Sequence, residues 1–361
     1  NYQLTDQMEV HKGRIEIAHQ DTIVTDPTTD ISGGYFLEPE GNTASDGLYF
    51  MSNQGCHIRI HDPKPDVINK RQLSYIKAYI NKFETALYGE DFSHEKRGYR
   101  QYTDTTSLID WYLVQEISAN ADGFWCSYIY KDRASELIHF GPIWDFDICW
   151  NNCSRMGNVT QKLAIQFGYG SNYTIKGWYT RMWEDPWFKQ AVCQRYEQLR
   201  ELGLDEQMIA FVDSMALVIR PSRIENFKRW SINTKTYDEV FLFNTYDEYV
   251  ENVKSFIQVH NEYLSKEFHR RCGLVATKAF QAQEEYSYKI YSKAFPAMAA
   301  ALTDHQVGIS RVTDEGDEGQ KWNIHATGGH FLITNAQTGM ALSDRGTGEG
   351  ELLTLEAPDS T

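Results

Sequence analysis

Gly141-Pro142-Ile143-Trp144-Asp145-Phe146-Asp147 places two carboxylates two residues apart, alternating with Trp144, Phe146 and Ile148. Read as an extended strand, the segment sends Asp145 and Asp147 to one face and the bulky apolar side chains to the other. Two carboxylates that close repel each other unless a cation lies between them, and ligation by oxygen alone suits Mg²⁺ or Ca²⁺. The Gly-Pro turn and the apolar surroundings predict partial burial of both carboxylates, and buried carboxylates need partners. Spacing alone leaves a second reading open, in which both aspartates line the solvated face of a two-sided strand.

Upstream lies a helix that opens after Asp104, its expected N-cap, with Ile109, Leu113 and Ile117 turned inward. Glu116, Asn120 and Asp122 close it. Glu116 and Asn120 are four residues apart and project from one face. That face is close to the one carrying Leu113 and Ile117, so the two polar groups are expected to be half buried and directed toward Asp122. A solvated helix end is the alternative.

Around this centre the chain alternates short strands and amphipathic helices. Residues 1–60 read as a small β subdomain, with stretches such as Arg14–Ile17 and Gly34–Glu38 separated by Thr/Asp/Gly-rich turns. Leu73, Ile76, Ile80, Phe83 and Leu87 recur at helical spacing over residues 69–87. Short strands are expected around 126–131 and 137–140. Helices follow over 186–202, opened by Asp185-Pro186, and over 206–219 and 247–269, the last carrying Val253, Phe256, Ile257, His260 and Leu264 on one face. His260 reads as a hydrogen-bonded core histidine, and Trp183, Trp187 and Trp230 as core.

After Cys272-Gly273 the helical periodicity stops and Gly/Thr/Asp turns return, which marks a linker. Beyond it, Ala301-Leu302-Thr303-Asp304 recurs as Ala341-Leu342-Ser343-Asp344, with Gln320-Lys321-Trp322 between the copies.

The 361 residues suit two to three domains, and 50 acidic against 35 basic residues give a formal charge of −15. That balance argues against a phosphate-neutralising face, so nucleic acid is not an expected partner. No run approaches the ~18 apolar residues of a membrane span. Six cysteines are too few to read as a disulfide framework. Patterns for dinucleotide, P-loop, serine-hydrolase and His-Glu-x-x-His sites do not occur.

Asp110-Trp111-Tyr112-Leu113-Val114-Gln115-Glu116, Asn120-Ala121-Asp122-Gly123, Tyr128-Ile129-Tyr130-Lys131-Asp132 and the Trp144-Asp145-Phe146-Asp147 block together resemble the core of the spore-coat protein H (CotH) kinase family over about residues 1–270. The resemblance implies a divergent protein-kinase-like fold that transfers phosphate from ATP to protein serines. It implies Asp122 at the catalytic-loop position and Asp145 at the metal-binding position, with Asp147 as a second metal or water contact. Glu116 and Asn120 would support them. Ser127 stands where many members carry a metal-binding Asn, and Cys149-Trp150-Asn151-Asn152 replaces the small-residue end of the block. The chain begins beyond the family's upstream strands and their basic segment, so a trimmed form of a longer protein is expected. The C-terminal repeat resembles ricin-type β-trefoil lectin units, in which a Gln-x-Trp ends each repeat.

The expected architecture is therefore α+β: a kinase-like domain over 1–270, a linker over 271–280, and an incomplete all-β, trefoil-like module over 281–361. The expected function is that of an exported CotH-type protein, an atypical Mg-ATP-dependent protein serine kinase or its degenerate relative, with a carbohydrate-binding module. The alternative is a non-catalytic surface protein that binds glycans or proteins. Mg²⁺ and ATP are the implied cofactors, and proteins or glycans at the cell surface the implied partners. An extracellular, cell-surface or periplasmic location follows from the lectin resemblance.

Overall fold

Tyr35–Glu40 (β1) is the middle strand of a five-stranded antiparallel sheet, flanked by Leu48–Met51 (β2), His57–Asp62 (β3), Ile129–Lys131 (β4) and Ile138–Phe140 (β5) in the order β2-β3-β1-β4-β5. Leu37 faces Ile60 on one side and Ile129 on the other, so strands from the N-terminal part of the chain pair with the segment that runs between Asp122 and Asp145. In this computed structural model the described residues are 7–20, 22–40, 47–133, 135–235, 238–272, 286–290, 298–303, 306–311, 317–327, 330–343 and 354–357. The chain divides into two compact units, residues 1–274 and 275–361.

The β subdomain expected over residues 1–60 is not separate, since its strands share the sheet with β4 and β5. Arg14–Ile17 is not a strand; a single bridge joins Val10 to Ile15, and Ile15 packs against Phe36 and Tyr128. Backbone approach explains the merger. A Cβ on Gly33 would collide with the Arg133 backbone nitrogen, and Gly34, at φ +89°, donates its N–H to the Lys131 carbonyl at 2.9 Å. Only glycine allows β1 to enter beside β4 so closely.

Helix α1 (Lys70–Tyr88) opens with a capping box: Asn69 accepts from the Arg71 and Gln72 N–H groups, and the Gln72 side chain accepts from the Asn69 N–H. It buries Ile76, Tyr79, Ile80, Phe83 and Leu87, so the periodic stripe of the sequence gains Tyr79 while its first member, Leu73, is only half-buried. Helix α2 (Thr105–Ser118) is capped by Asp104, which accepts from Ser107 N–H at 2.7 Å. Short α3 (Ala164–Phe167) and α4 (Ile175–Met182) follow, then α5 (Pro186–Glu201), α6 (Leu204–Val218), α7 (Arg220–Arg229) and α8 (Tyr246–Cys272).

Asp185 caps α5 as expected, accepting from Trp187 N–H. Helices α3, α4 and α7 are not among the helices expected from the sequence. Helix α4 is eight residues long and interrupted by Gly177, which weakens local helix preference, and α7 directly continues α6 across Ile219 without a polar cap. Trp183 is core, but Trp230 is 42 % exposed, because neither α6 nor α7 buries any residue.

The core of the first unit is aromatic. Trp111 stacks on Tyr179 at 4.9 Å, and Tyr112 packs edge-on against Phe188 at 5.7 Å. Glu84, buried in α1, accepts from Ser52 Oγ, Gln54 N–H and Trp178 Nε1, tying α1 to α4 and to the β2–β3 turn. A disulfide, Cys193–Cys272, joins α5 to the end of α8.

In the second unit the strands are Ser287–Tyr288 (β6), Met298–Thr303 (β7), Gln306–Arg311 (β8), Trp322–Thr327 (β9), His330–Asn335 (β10), Ala341–Ser343 (β11) and Thr354–Glu356 (β12). They pair antiparallel as one sheet, β12-β11-β10-β9-β6, and one hairpin, β7-β8. Trp322 is fully buried and donates from Nε1 to the Ala300 carbonyl at 3.1 Å. Ala301 and Ala341, the first residues of the repeated tetrapeptide, are both buried, one on β7 and one on β11. Asp304 and Asp344, the last residues of the two copies, lie outside the described residues.

Candidate functional site

Helix α2 ends when Ala119 takes the left-handed conformation at φ 52° and turns its N–H back to the Gln115 and Glu116 carbonyls. The next residue organises the turn beyond it. Asn120, fully buried, accepts from the Asp122 N–H at 3.1 Å and the Gly123 N–H at 3.3 Å, while its amide nitrogen reaches the Asp145 carbonyl at 3.5 Å. One side chain thus shapes the Asp122 turn and touches the loop carrying the Asp145-x-Asp147 pair. A Cβ on Gly123 would force the buried Gln115 side chain to move, since its Oε1 lies against that position.

Residues 141–147 do not form the expected strand. Asp145 sits at φ 60°, and Trp150 and Asn151 both at φ 62°, a cluster of left-handed non-glycine residues in one short loop. Such backbone strain gathers at functional sites, where surrounding contacts hold it in place. Here the Trp150 N–H donates to the Ser118 carbonyl, pinning the loop to the end of α2. The left-handed turn at Asp145 ends strand alternation, so the pair meets by local bending rather than by pleat.

The partial burial expected for the pair is corrected accordingly. Asp145 and Asp147 are both exposed as residues, and Asp122 is half-buried. Local desolvation of its carboxyl, then the adjacent Asp147 carboxylate at hydrogen-bonding range and the charge of Asp122, push Asp145 up to about 6. Asp122 is also raised, mainly by burial, with Arg155 opposing and Asp147 reinforcing the shift. Asp122, Asp145 and Asp147 are therefore within electrostatic reach of one another.

Glu116, expected half-buried, is fully buried and faces away from this group. Its carboxylate accepts from the Ala164 N–H at 2.5 Å and the Ile165 N–H at 3.2 Å, closing the start of α3. Those hydrogen bonds favour the ionised form, yet desolvation wins and pushes Glu116 up to about 7. A carboxyl raised from 4.5 in the unfolded chain to about 7 in the fold contributes stability that is present below about pH 4.5 and lost as pH rises through about 7, a swing on the order of 3 kcal/mol. In Glu116→Gln that part of the pH dependence should vanish from urea midpoints measured between pH 4.5 and 8. An unchanged slope would show that Glu116 does not carry it.

Ser127 is buried too, and its Oγ accepts from Trp111 Nε1 at 2.9 Å. His260 is the hydrogen-bonded core histidine expected, with Nε2 facing the Glu116 carbonyl at 2.8 Å and Nδ1 the Thr160 carbonyl at 3.1 Å.

Several groups around the acidic trio carry no site role in the sequence. Arg155 pairs with Asp238 at 2.7 Å, lies 5.4 Å from the Tyr169 ring, and brings a positive charge toward Asp122. Cys126 is pushed up to about 12 by burial and by Glu38, Asp122, Asp145 and Glu40 around it, so carboxylates from β1 and from the two loops face a common region. Glu38 is held by His61 Nε2 at 2.6 Å and Glu40 by Arg59 Nε at 3.4 Å. The alternation of Glu38 and Glu40 along β1 is the sequence signal that could have found them. Arg155 had none.

A family model described as CotH kinase protein matches residues 21–264. The chain belongs to the CotH family. No curated protein and no solved structure gives a significant match. The matched CotH segment contains Asn120, Asp122, Asp145, Asp147 and Arg155, and also the β1 carboxylates.

Whether these residues suit a divalent cation can be judged from the donors. Asp145 and Asp147 stand at hydrogen-bonding range, an arrangement that needs a proton or a cation between them. Among the described residues no group of three or more His, Cys, Asp or Glu side chains converges as a metal site. A two-carboxylate set fits Mg²⁺, which keeps waters and takes phosphate oxygens as further ligands. It does not fit zinc, which wants four closed ligands.

Proposed function

We propose that this CotH protein is an atypical Mg-ATP-dependent protein serine kinase. The observation that carries the reading is the mutual electrostatic reach of Asp122, Asp145 and Asp147 beside the Arg155 guanidinium. Phosphoryl transfer asks for one carboxylate to orient a hydroxyl and others to hold the phosphate-bearing metal, with little further chemistry from the protein. Asp122, shaped by Asn120, is the group that would orient the acceptor hydroxyl and take up its proton. Asp145 and Asp147 would hold Mg²⁺, which when bound neutralises charge on the phosphate oxygens. Arg155 adds a fixed positive charge toward the same region.

The second unit we read as a partial ricin-type β-trefoil-like module with a carbohydrate-binding role, supported by the buried Trp322 of the Gln-x-Trp and the buried alanines of both repeat copies. Export to the cell surface or another oxidising compartment is supported by the Cys193–Cys272 disulfide. Among the described residues no helix is long and apolar enough to cross a membrane.

A second reading, a non-catalytic surface binding protein, is favoured by one observation. The Ser127 hydroxyl, at the position of the family's metal-binding Asn, is engaged by Trp111 instead. Labelled ATP with Mg²⁺ and a serine-rich acceptor decides between them. Transfer of label to serine by the full-length protein is the expected result. Absence of both transfer and nucleotide binding would overturn the kinase reading in favour of the second.

A further inference from the structure

Eleven of the eighteen large apolar side chains that are exposed among the described residues fall between Leu202 and Leu242. Such concentration marks an interaction surface. Helix α6 reads Leu-Asp-Glu-Gln-Met-Ile-Ala-Phe-Val-Asp-Ser-Met-Ala-Leu-Val and buries none of its residues. Phe211, Met215 and Val218 recur at four and three residues and share one face, with Phe211 64 % and Val218 65 % exposed. Two of its three acids point elsewhere: Asp205 is paired with Arg200 at 2.5 Å and Asp213 with Lys254 of α8 at 3.0 Å. Next to the stripe an apolar cleft of about 680 Å³, bordered by Trp150, Leu202, Met208, Phe211 and Ile257, extends the same surface.

Charge identifies the occupant. In a chain of net charge −15, residues 214–235 hold Arg220, Arg223, Lys228, Arg229 and Lys235 against a single acid, Glu225; Arg223 is paired with Asp247 at 3.1 Å and Lys228 with Glu225 at 2.5 Å, which on α7 leaves Arg220 and Arg229 to carry the patch. On α7 these bases alternate with exposed Ile224 and Phe227, and the helix ends at exposed Trp230, over whose ring the Arg229 guanidinium lies at 5.2 Å. Apolar and aromatic side chains flanked by Arg and Lys suit the interface of an anionic bilayer, where rings sit at headgroup level and bases meet lipid phosphate. A second copy fits poorly, since a two-fold contact would set this basic patch against itself.

We propose that the α6–α7 face docks peripherally on an anionic lipid surface, with Phe211, Val218, Ile224, Phe227 and Trp230 entering the interface and Arg220 and Arg229 contacting headgroups. This is independent of the kinase reading. The test is co-sedimentation of the full chain with phosphatidylcholine vesicles, with and without phosphatidylserine, at low and high salt. Phosphatidylserine should strengthen binding at least about tenfold, and high salt should weaken it. The double variant Arg220→Glu, Arg229→Glu should lose about tenfold or more, and Phe211→Ser with Val218→Ser should lose binding even at low salt. All four positions are exposed, and unchanged circular dichroism and melting would certify their folds.

Equal binding to both vesicle types, or none, would overturn the proposal. So would binding that survives both double variants. Sedimentation velocity supplies a further check: a dimer that Phe211→Ser dissolves would make this face a contact between copies and defeat the lipid assignment.

Discussion

Asp145→Asn should reduce phosphoryl transfer by on the order of 10²–10³-fold while leaving the fold intact. The residue is exposed, and its cost falls on chemistry: an amide in its place removes one of the two charges that would hold Mg²⁺ against the phosphates. The same variant should weaken Mn²⁺ or Mg²⁺ binding measured by calorimetry, a readout that needs no turnover. In the unaltered protein, divalent affinity should rise as pH rises through about 6, because protonation of Asp145 competes with the cation. In Asp145→Asn that pH dependence should disappear. Full activity in the variant, or metal affinity flat from pH 5 to 8 in the parent, would remove Asp145 from the site. Asp147→Asn should have the smaller effect, since it leaves Asp145 with its normal reach toward Asp122 and relieves the repulsion between the pair.

Reduction of Cys193–Cys272 should lower the stability of the first unit by about 4 kcal/mol. The bond closes a loop with a sequence separation of 79 residues, and releasing a loop of that size returns about 4–5 kcal/mol of chain entropy to the unfolded state. The link also holds the last turn of α8 against α5, where Tyr196 packs on Phe268 at 5.0 Å and donates to the Asn261 carbonyl. Guanidinium unfolding of Cys193→Ala, Cys272→Ala, and of the parent with and without reductant, measures it. A lower midpoint with a larger m-value is expected, because the unbridged unfolded chain exposes more surface. Two titratable thiols at these positions in the untreated protein, or a midpoint insensitive to reductant, would contradict the pairing. Because α8 also carries His260, which bridges the Glu116 and Thr160 carbonyls, loosening its C-terminal end should reach the base of the Asp122 turn.

The disulfide shows where the sequence falls short. Six cysteines over 361 residues name no pair, and Cys193 and Cys272 become partners only because α5 and α8 lie side by side. The helices with their own start signals and buried stripes were readable: Asp104 as a cap, Asp185-Pro186 opening α5, and the apolar rows of α1 and α8. Those signals are local, fixed by hydrogen bonds within a turn and by a 3.6-residue period. By itself, then, the sequence determined helices α1, α2, α5, α6 and α8, the acidic balance and the family, through motifs that lie within single segments.

The tertiary structure decided the rest. Asp145 meets Asp147 through a left-handed bend that alternation could not foretell, and Asn120 joins their loop to the Asp122 turn across 25 residues. Glu116, of the same residue class and one helical turn from Asn120, turns instead to cap α3, because the N–H groups of Ala164 and Ile165 arrive there from 48 and 49 residues downstream. Arg155 and the β1 carboxylates enter the same region only through sheet and loop packing. Each of these pairings depends on which distant donor or charge arrives beside a given side chain. That is settled by long-range packing, which desolvates some carboxylates and leaves others in water, and not by the spacing of residues along the chain.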